Sequence, residues 1–159
     1  MNKDLLQQAN SRMIIQNIFL HSCEIKTRDD FYPLDNKSYE IQFKQYVKDT
    51  KIFSALENDS QNPIELIIFH YIAAFRVLPE CLSDEDKESE VSDKVEIEVI
   101  ATFSAAYAMI EKIPQEAIDE FAEHNVGFNV WPYWREYASS TATRLGLPSF
   151  TIPLYRLPI

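Results

Sequence analysis

The stretch VEIEVIATFSAAYAMIEKIPQEAIDEFA, residues 95–122, decides the fold class because the spacing of its apolar residues changes within it. Up to Tyr107, apolar and polar side chains alternate, which is typical of a β-strand with one buried face. After Pro114 the apolar residues recur at helical spacing, and proline suits the first turn of a helix. The sequence therefore predicts that a strand ends and a helix begins near residue 113.

Three segments before this stretch also have the patterns of strands. Residues 13–26 predict a first strand, with one face formed by Met13, Ile15, Phe19, Cys23 and Ile25. Residues 39–48 predict a second strand, whose buried face is formed by Tyr39, Ile41, Phe43 and Val47. A third strand, which begins after Pro63 and runs to about Val77, is apolar on both faces, which is typical of a central strand.

Two helices are predicted after the strands. The first begins at Pro114 and is broken at residues 125–127. The second begins with Asn129 as its N-cap and Pro132 in its first turn, and it ends at Gly146. Strands followed by helices predict an α+β fold, here a four-stranded antiparallel sheet with two helices packed on one side.

Composition narrows the function. The 159 residues are 46% hydrophobic, which is enough to bury a core, so we expect a single domain over 13–159. The polar residues at the start predict a flexible N-terminal segment over 1–12. A net charge of -10 argues against nucleic acid as a partner. The polar N-terminus has no apolar signal core and predicts a cytoplasmic protein. Apolar runs interrupted by Glu65 and His70 are too short to insert into a membrane.

Nothing in the sequence predicts catalysis, a cofactor or a metal. With two glycines, the chain cannot form a phosphate-binding loop of the GxGxxG or GxxxxGK type. His21, His70 and His124 fall on three predicted elements without metal-ligand spacing, and no nucleophile–base pair is evident. We therefore expect no enzyme activity, although an α+β sheet could host a small ligand. The acidic segment 83–93 is predicted to be a solvated loop.

Four stretches of the chain resemble the SecB chaperone family over roughly residues 13–153. The strands IQNIFLHSCEI (15–25) and EVIATFSAAYAMI (98–110) are similar to family strands. NVWPYWRE (129–136) resembles the family's aromatic-Pro-aromatic motif followed by Arg-Glu, and RLGLPSFTIP (144–153) resembles the segment that follows. The resemblance implies a homotetramer without ATPase or cofactor that binds non-native polypeptide in apolar grooves between sheet and helix.

The resemblance and the aromatic content together predict which residues bind a client polypeptide. Aromatic side chains offer large contact areas that tolerate many client sequences. The predicted client-binding residues are Tyr39, Ile41, Phe43, Phe128, Trp131, Tyr133, Trp134, Tyr137 and Phe150. Three alternatives stay open: both tryptophans could belong to the core, Tyr133 and Tyr137 could line a subunit interface, and Tyr39, Ile41 and Phe43 could be sheet-face residues under the helices.

Two departures from the family pattern bear on the client. Ser22 and Lys26 align with carboxylates that export-type members use to dock the translocation motor, and the chain reaches LYRLPI where those members continue with another helix. These departures favour a holdase dedicated to the antitoxin of a toxin–antitoxin module. The alternatives are a general export chaperone that delivers preproteins to the translocase motor, and a ligand-binding or hot-dog-like enzyme domain.

Overall fold

In the computed structural model of the chain, the described residues are 1–33, 38–55, 64–80 and 93–155. Within them, four strands and three helices follow one another, and the last two helices are joined by a π-helical turn over Ala122–Val126. The elements are α1 Lys3–Arg12, β1 Met13–Thr27, β2 Tyr39–Ala55, β3 Ile64–Pro79, β4 Ile97–Met109, α2 Gln115–Phe121 and α3 Gly127–Arg144.

The four strands form one antiparallel sheet in the order β1-β4-β3-β2, and α2 and α3 cover one of its faces. The predicted α+β fold is thereby confirmed. β3 lies between β4 and β2, as its two apolar faces predict. Alternate residues of β4, from Ile97 to Met109, are buried beneath the helices. The opposite face of the sheet carries no helix among the described residues.

β1 departs from the predicted alternation because it contains two bulges. Register shifts fall between Ile15 and Asn17 and between Leu20 and Ser22. Each bulge inserts one residue and exchanges the two faces of the strand. Ile18 consequently faces the helices and is 7% exposed, whereas Phe19 lies on the helix-free face and is 44% exposed. The prediction that placed Phe19 beside Met13 was wrong for this reason.

Residues 1–12, for which we expected a flexible segment, contain the ten-residue helix α1. The side chain of Asn2 caps this helix by accepting from the backbone N–H groups of Asp4 and Leu5 at 3.2 and 3.3 Å. Ala9 is fully buried where α1 packs on α2. The polar composition of α1 conceals the single apolar stripe that makes this contact.

The predicted helix break at residues 125–127 does not occur. The backbone of Gly127 is helical, and the π-helical turn connects α2 to α3 without a loop. Asn129 is therefore inside α3 and is not an N-cap, and Pro132 lies one turn further in than expected. The end of α3 agrees with the prediction, since Gly146 has a φ of 72° and directs the chain away from the helix axis.

The acidic segment 83–93 lies almost entirely outside the described residues. Cys23 is exposed. No described helix is long and apolar enough to cross a membrane.

Candidate functional site

An apolar groove runs between the inner face of α3 and the β2 side of the sheet. Its floor is built from alternate residues of β2 and β3, and its wall from residues near the start of α3. The extended segment 148–155, which follows α3, lies along this groove and returns from the end of the helix towards its beginning. We call this stretch the return segment.

At one end of the groove, the return segment inserts Phe150 between aromatic rings of the sheet. The ring of Phe150 lies 5.4 Å from that of Phe75 and 6.3 Å from that of Phe43. An open cavity of about 290 Å³ lies beside Phe150 and is lined in part by Tyr39 and Ile41. Three of the predicted client-binding residues on β2 thus meet a fourth, Phe150, at this end.

At the other end, Tyr155 lies over the first turn of α3. Its ring is 5.6 Å from Trp131 and 6.5 Å from Phe128. The indole Nε1 of Trp131 donates a hydrogen bond of 2.9 Å to the carbonyl oxygen of Pro153. Burial raises the pKa of Tyr155, and it raises that of Tyr71, to whose hydroxyl Tyr155 is hydrogen-bonded. A cavity of about 490 Å³ continues from this point along β2.

The remaining predicted residues lie outside this groove. Trp134 is completely buried on the inner face of α3. The centroid of its ring lies 6.1 Å from that of Phe75 and 6.2 Å from that of Tyr137. Tyr137 is half-buried and also contacts Phe103, and burial raises its pKa. Tyr133 is exposed on the outer side of the helix. These positions separate the aromatic cluster into groove, core and outer surface.

The sequence does not predict three residues of the groove, namely Tyr71, Tyr155 and Gly127. Tyr71 and Tyr155 reach it from β3 and from the return segment, which are far apart in sequence. Gly127 permits the close approach of the return segment, because a Cβ there would lie 2.7 Å from ring carbons of Tyr155. The rarity of glycine in this chain was the available signal, since a glycine inside a helix often marks a close contact.

The sheet face without helices brings His21 and His70 together, which their spacing does not predict. Their ring centroids are 4.8 Å apart, and Nδ1 of His70 lies 2.5 Å from an Asp49 carboxylate oxygen. The contact with His70 lowers the pKa of Asp49. Among the described residues, no group of three or more His, Cys, Asp or Glu side chains could hold a metal ion.

An antiparallel four-stranded sheet with helices along one face is the fold of SecB-like chaperones, so the resemblance carried by NVWPYWRE is confirmed at the level of the fold. One solved structure with this fold is that of the Mycobacterium tuberculosis SecB-like chaperone Rv1957, in complex with a ChAD peptide from the Rv1956 HigA1 antitoxin. The TM-score is 0.67 at 17% sequence identity, and the alignment covers 98% of this chain and 99% of that chain. No protein-family model matches the chain, and no curated protein matches it in sequence.

Proposed function

We propose that the protein is an ATP-independent chaperone that binds non-native polypeptide in the groove between α3 and β2. The observation that carries this proposal is the return segment itself, because an extended stretch of polypeptide already fits the groove. Aromatic side chains contact it on both sides, and an indole N–H recognises its backbone. Backbone and aromatic contacts of this kind do not depend on one exact client sequence.

The surface of β1 supports an antitoxin client over an export role. Ser22, Glu24 and Lys26 share the helix-free face, and the ammonium of Lys26 lies 3.0 Å from the Glu24 carboxylate. That contact neutralises a charge which a docking site for a basic partner would need. The SecB-like fold, known in a complex with an antitoxin peptide, agrees with this choice of client.

We propose a homotetramer, as the family resemblance implies, as the working form in the cytoplasm, and exposed apolar side chains support association between copies. β1 is an edge strand of fifteen residues, and it leaves Ile14, Phe19, Leu20 and Ile25 exposed. A long apolar edge strand invites pairing with another chain unless it is covered. A second copy of the protein would cover it.

Aggregation assays without nucleotide test the holdase activity. The purified chain is mixed with a chemically denatured, aggregation-prone polypeptide, and light scattering is followed with and without ATP. We expect equal suppression in both conditions, since the groove requires no cofactor. A folded protein that suppresses nothing, or only with ATP, would contradict the proposed activity.

Identification of the bound client separates the two chaperone roles. The chain is purified from its native host, and co-purifying proteins are identified by mass spectrometry. One antitoxin bound in proportion to the chaperone would support the dedicated role. A broad mixture of preproteins would instead favour the export role.

A further inference from the structure

The return segment occupies the groove that the proposed function assigns to clients. Phe150, Ile152 and Tyr155 point into the protein, and Ile152 is only 5% exposed. Leu154, between the last two, is 73% exposed. Counted from Phe150, the inserted side chains are an aromatic at position one, a branched aliphatic at position three and an aromatic at position six.

Side chains, and not a hydrogen-bonded ladder, hold the return segment in place. Among the described residues, it makes no backbone–backbone hydrogen bond with the sheet or α3. The bond from Trp131 Nε1 to the Pro153 carbonyl is the contact that fixes its backbone. A segment with few backbone hydrogen bonds and open cavities beside both of its aromatic anchors can open locally without unfolding the domain.

We propose that the return segment is an internal occupant of the client groove, and that a client stretch with the same aromatic–aliphatic–aromatic pattern displaces it. This inference rests on the proposed function. It assigns Phe150 to the occupant, whereas Phe43, Phe75, Tyr71 and Trp131 form the groove. A client can bind only those molecules whose return segment has left the groove. The apparent Kd for the client is therefore the intrinsic Kd divided by the fraction of open molecules.

Hydroxyl-radical footprinting on the full wild-type chain tests the displacement directly, because it reports the exposure of side chains and side chains hold the segment in place. The probe is reduced, carboxymethylated α-lactalbumin, an acidic unfolded chain that charge attraction does not draw to a protein of net charge -10. At saturating probe, we expect oxidation of Phe150, Ile152 and Tyr155 to increase while that of the buried residue Phe121 does not. Unchanged or lower oxidation of the segment, with the probe bound, would overturn the inference.

Gly127→Ala provides a second test in the full chain. The new Cβ collides with the Tyr155 ring and pushes it out, while alanine suits the helix. We expect a Kd for the probe about three- to tenfold lower than that of the wild type. Ser140→Ala, on the same helix but outside the residues that line the cavities beside Phe150 and Tyr155, is the matched control and should change nothing. Tyr155→Ala should reproduce the effect if Gly127→Ala fails to fold.

A peptide with the sequence of the return segment, PSFTIPLY, tests whether the segment and the probe bind the same groove. It should compete with the probe for the Gly127→Ala variant, and a peptide with serine in place of Phe150, Ile152 and Tyr155 should not. If the probe binds wild type and variants equally and PSFTIPLY does not compete, the inference fails and the holdase remains. If the probe binds none of them, the proposed function fails and removes the inference with it.

Discussion

Trp134 is the most deeply buried of the predicted client-binding residues. Its side chain is completely buried against Phe75, so Trp134→Ala should lower the free energy of unfolding by about 3–5 kcal/mol through loss of contacts and a cavity. Its indole Nε1 has no hydrogen-bond partner among the described residues, so Trp134→Phe should cost far less. Urea unfolding followed by circular dichroism measures both. Two small effects of equal size would argue against a core role and favour Trp134 as a client contact.

Tyr107 should make the fold sensitive to alkaline pH. Burial beneath α3 raises the pKa of its hydroxyl to about 12, whereas an unfolded tyrosine ionises near pH 10. Above pH 10 the unfolded chain therefore releases a proton that the folded chain retains. The resulting contribution of about 3 kcal/mol is present below pH 10 and is lost between pH 10 and 12.

Tyr107→Phe is the variant that tests this sensitivity. At pH 8 it should lose about 1 kcal/mol, because the Asn129 amide that donates to the Tyr107 hydroxyl at 3.0 Å loses its acceptor. Between pH 10 and 12, however, its stability should fall less than that of the wild type. Thermal unfolding of the wild type and of Tyr107→Phe, at pH 8 and between pH 10 and 12, measures these differences in stability. Parallel losses would mean that other buried tyrosines, such as Tyr71, govern the alkaline limit.

Among the elements, α1 lies in the segment that we expect to be flexible, and the Asn2 side chain caps its start. Asn2→Ala removes the side chain that caps this helix, and it should cost about 1 kcal/mol. We expect the loss to appear as faster hydrogen exchange in residues 6–12, with the sheet unaffected. Ser11→Ala, at an exposed position near the other end of α1, is the control. Rapid exchange of α1 already in the wild type would support the flexible segment predicted from the sequence.

The elements that sequence reasoning predicted well are those whose faces are decided locally. Burial alternates along β4 except at Ser104, because one face lies under the helices throughout its length. The inner stripe of α3 from Val130 to Thr141 has the expected helical period. The prediction for β1 was wrong where two bulges exchange the faces of the strand, since no residue pattern marks a bulge. The sequence predicts a helix break at Gly127 because it does not reveal the Tyr155 ring packed against this glycine.

The groove could be predicted only in part for the same reason. Its β2 residues follow from alternation, and Phe150 follows from the family resemblance. The position of the return segment depends on contacts with Phe75, Tyr71 and Trp131, which lie on two other elements. A proline-broken stretch has no periodicity that would indicate which surface it covers.

For the whole molecule, the two edges of the sheet allow a controlled test of assembly. Phe19 on β1 and Phe53 on β2 lie on the same helix-free face and are 44% and 49% exposed. If β1 is the edge that pairs with a second copy, Phe19→Lys places a charge in the interface and Phe53→Lys does not. The two variants therefore differ in the edge they alter, while the substitution and the exposure are matched.

Light scattering at micromolar concentration gives the result. We expect wild type and Phe53→Lys to have about four times the 18.5 kDa mass of one chain, and Phe19→Lys to have a smaller mass with an unchanged far-ultraviolet spectrum. A monomeric wild type would contradict the tetramer. An intact tetramer in Phe19→Lys together with dissociation of Phe53→Lys would move the interface to β2, beside the groove, and assembly would then compete with client binding for that side of the sheet.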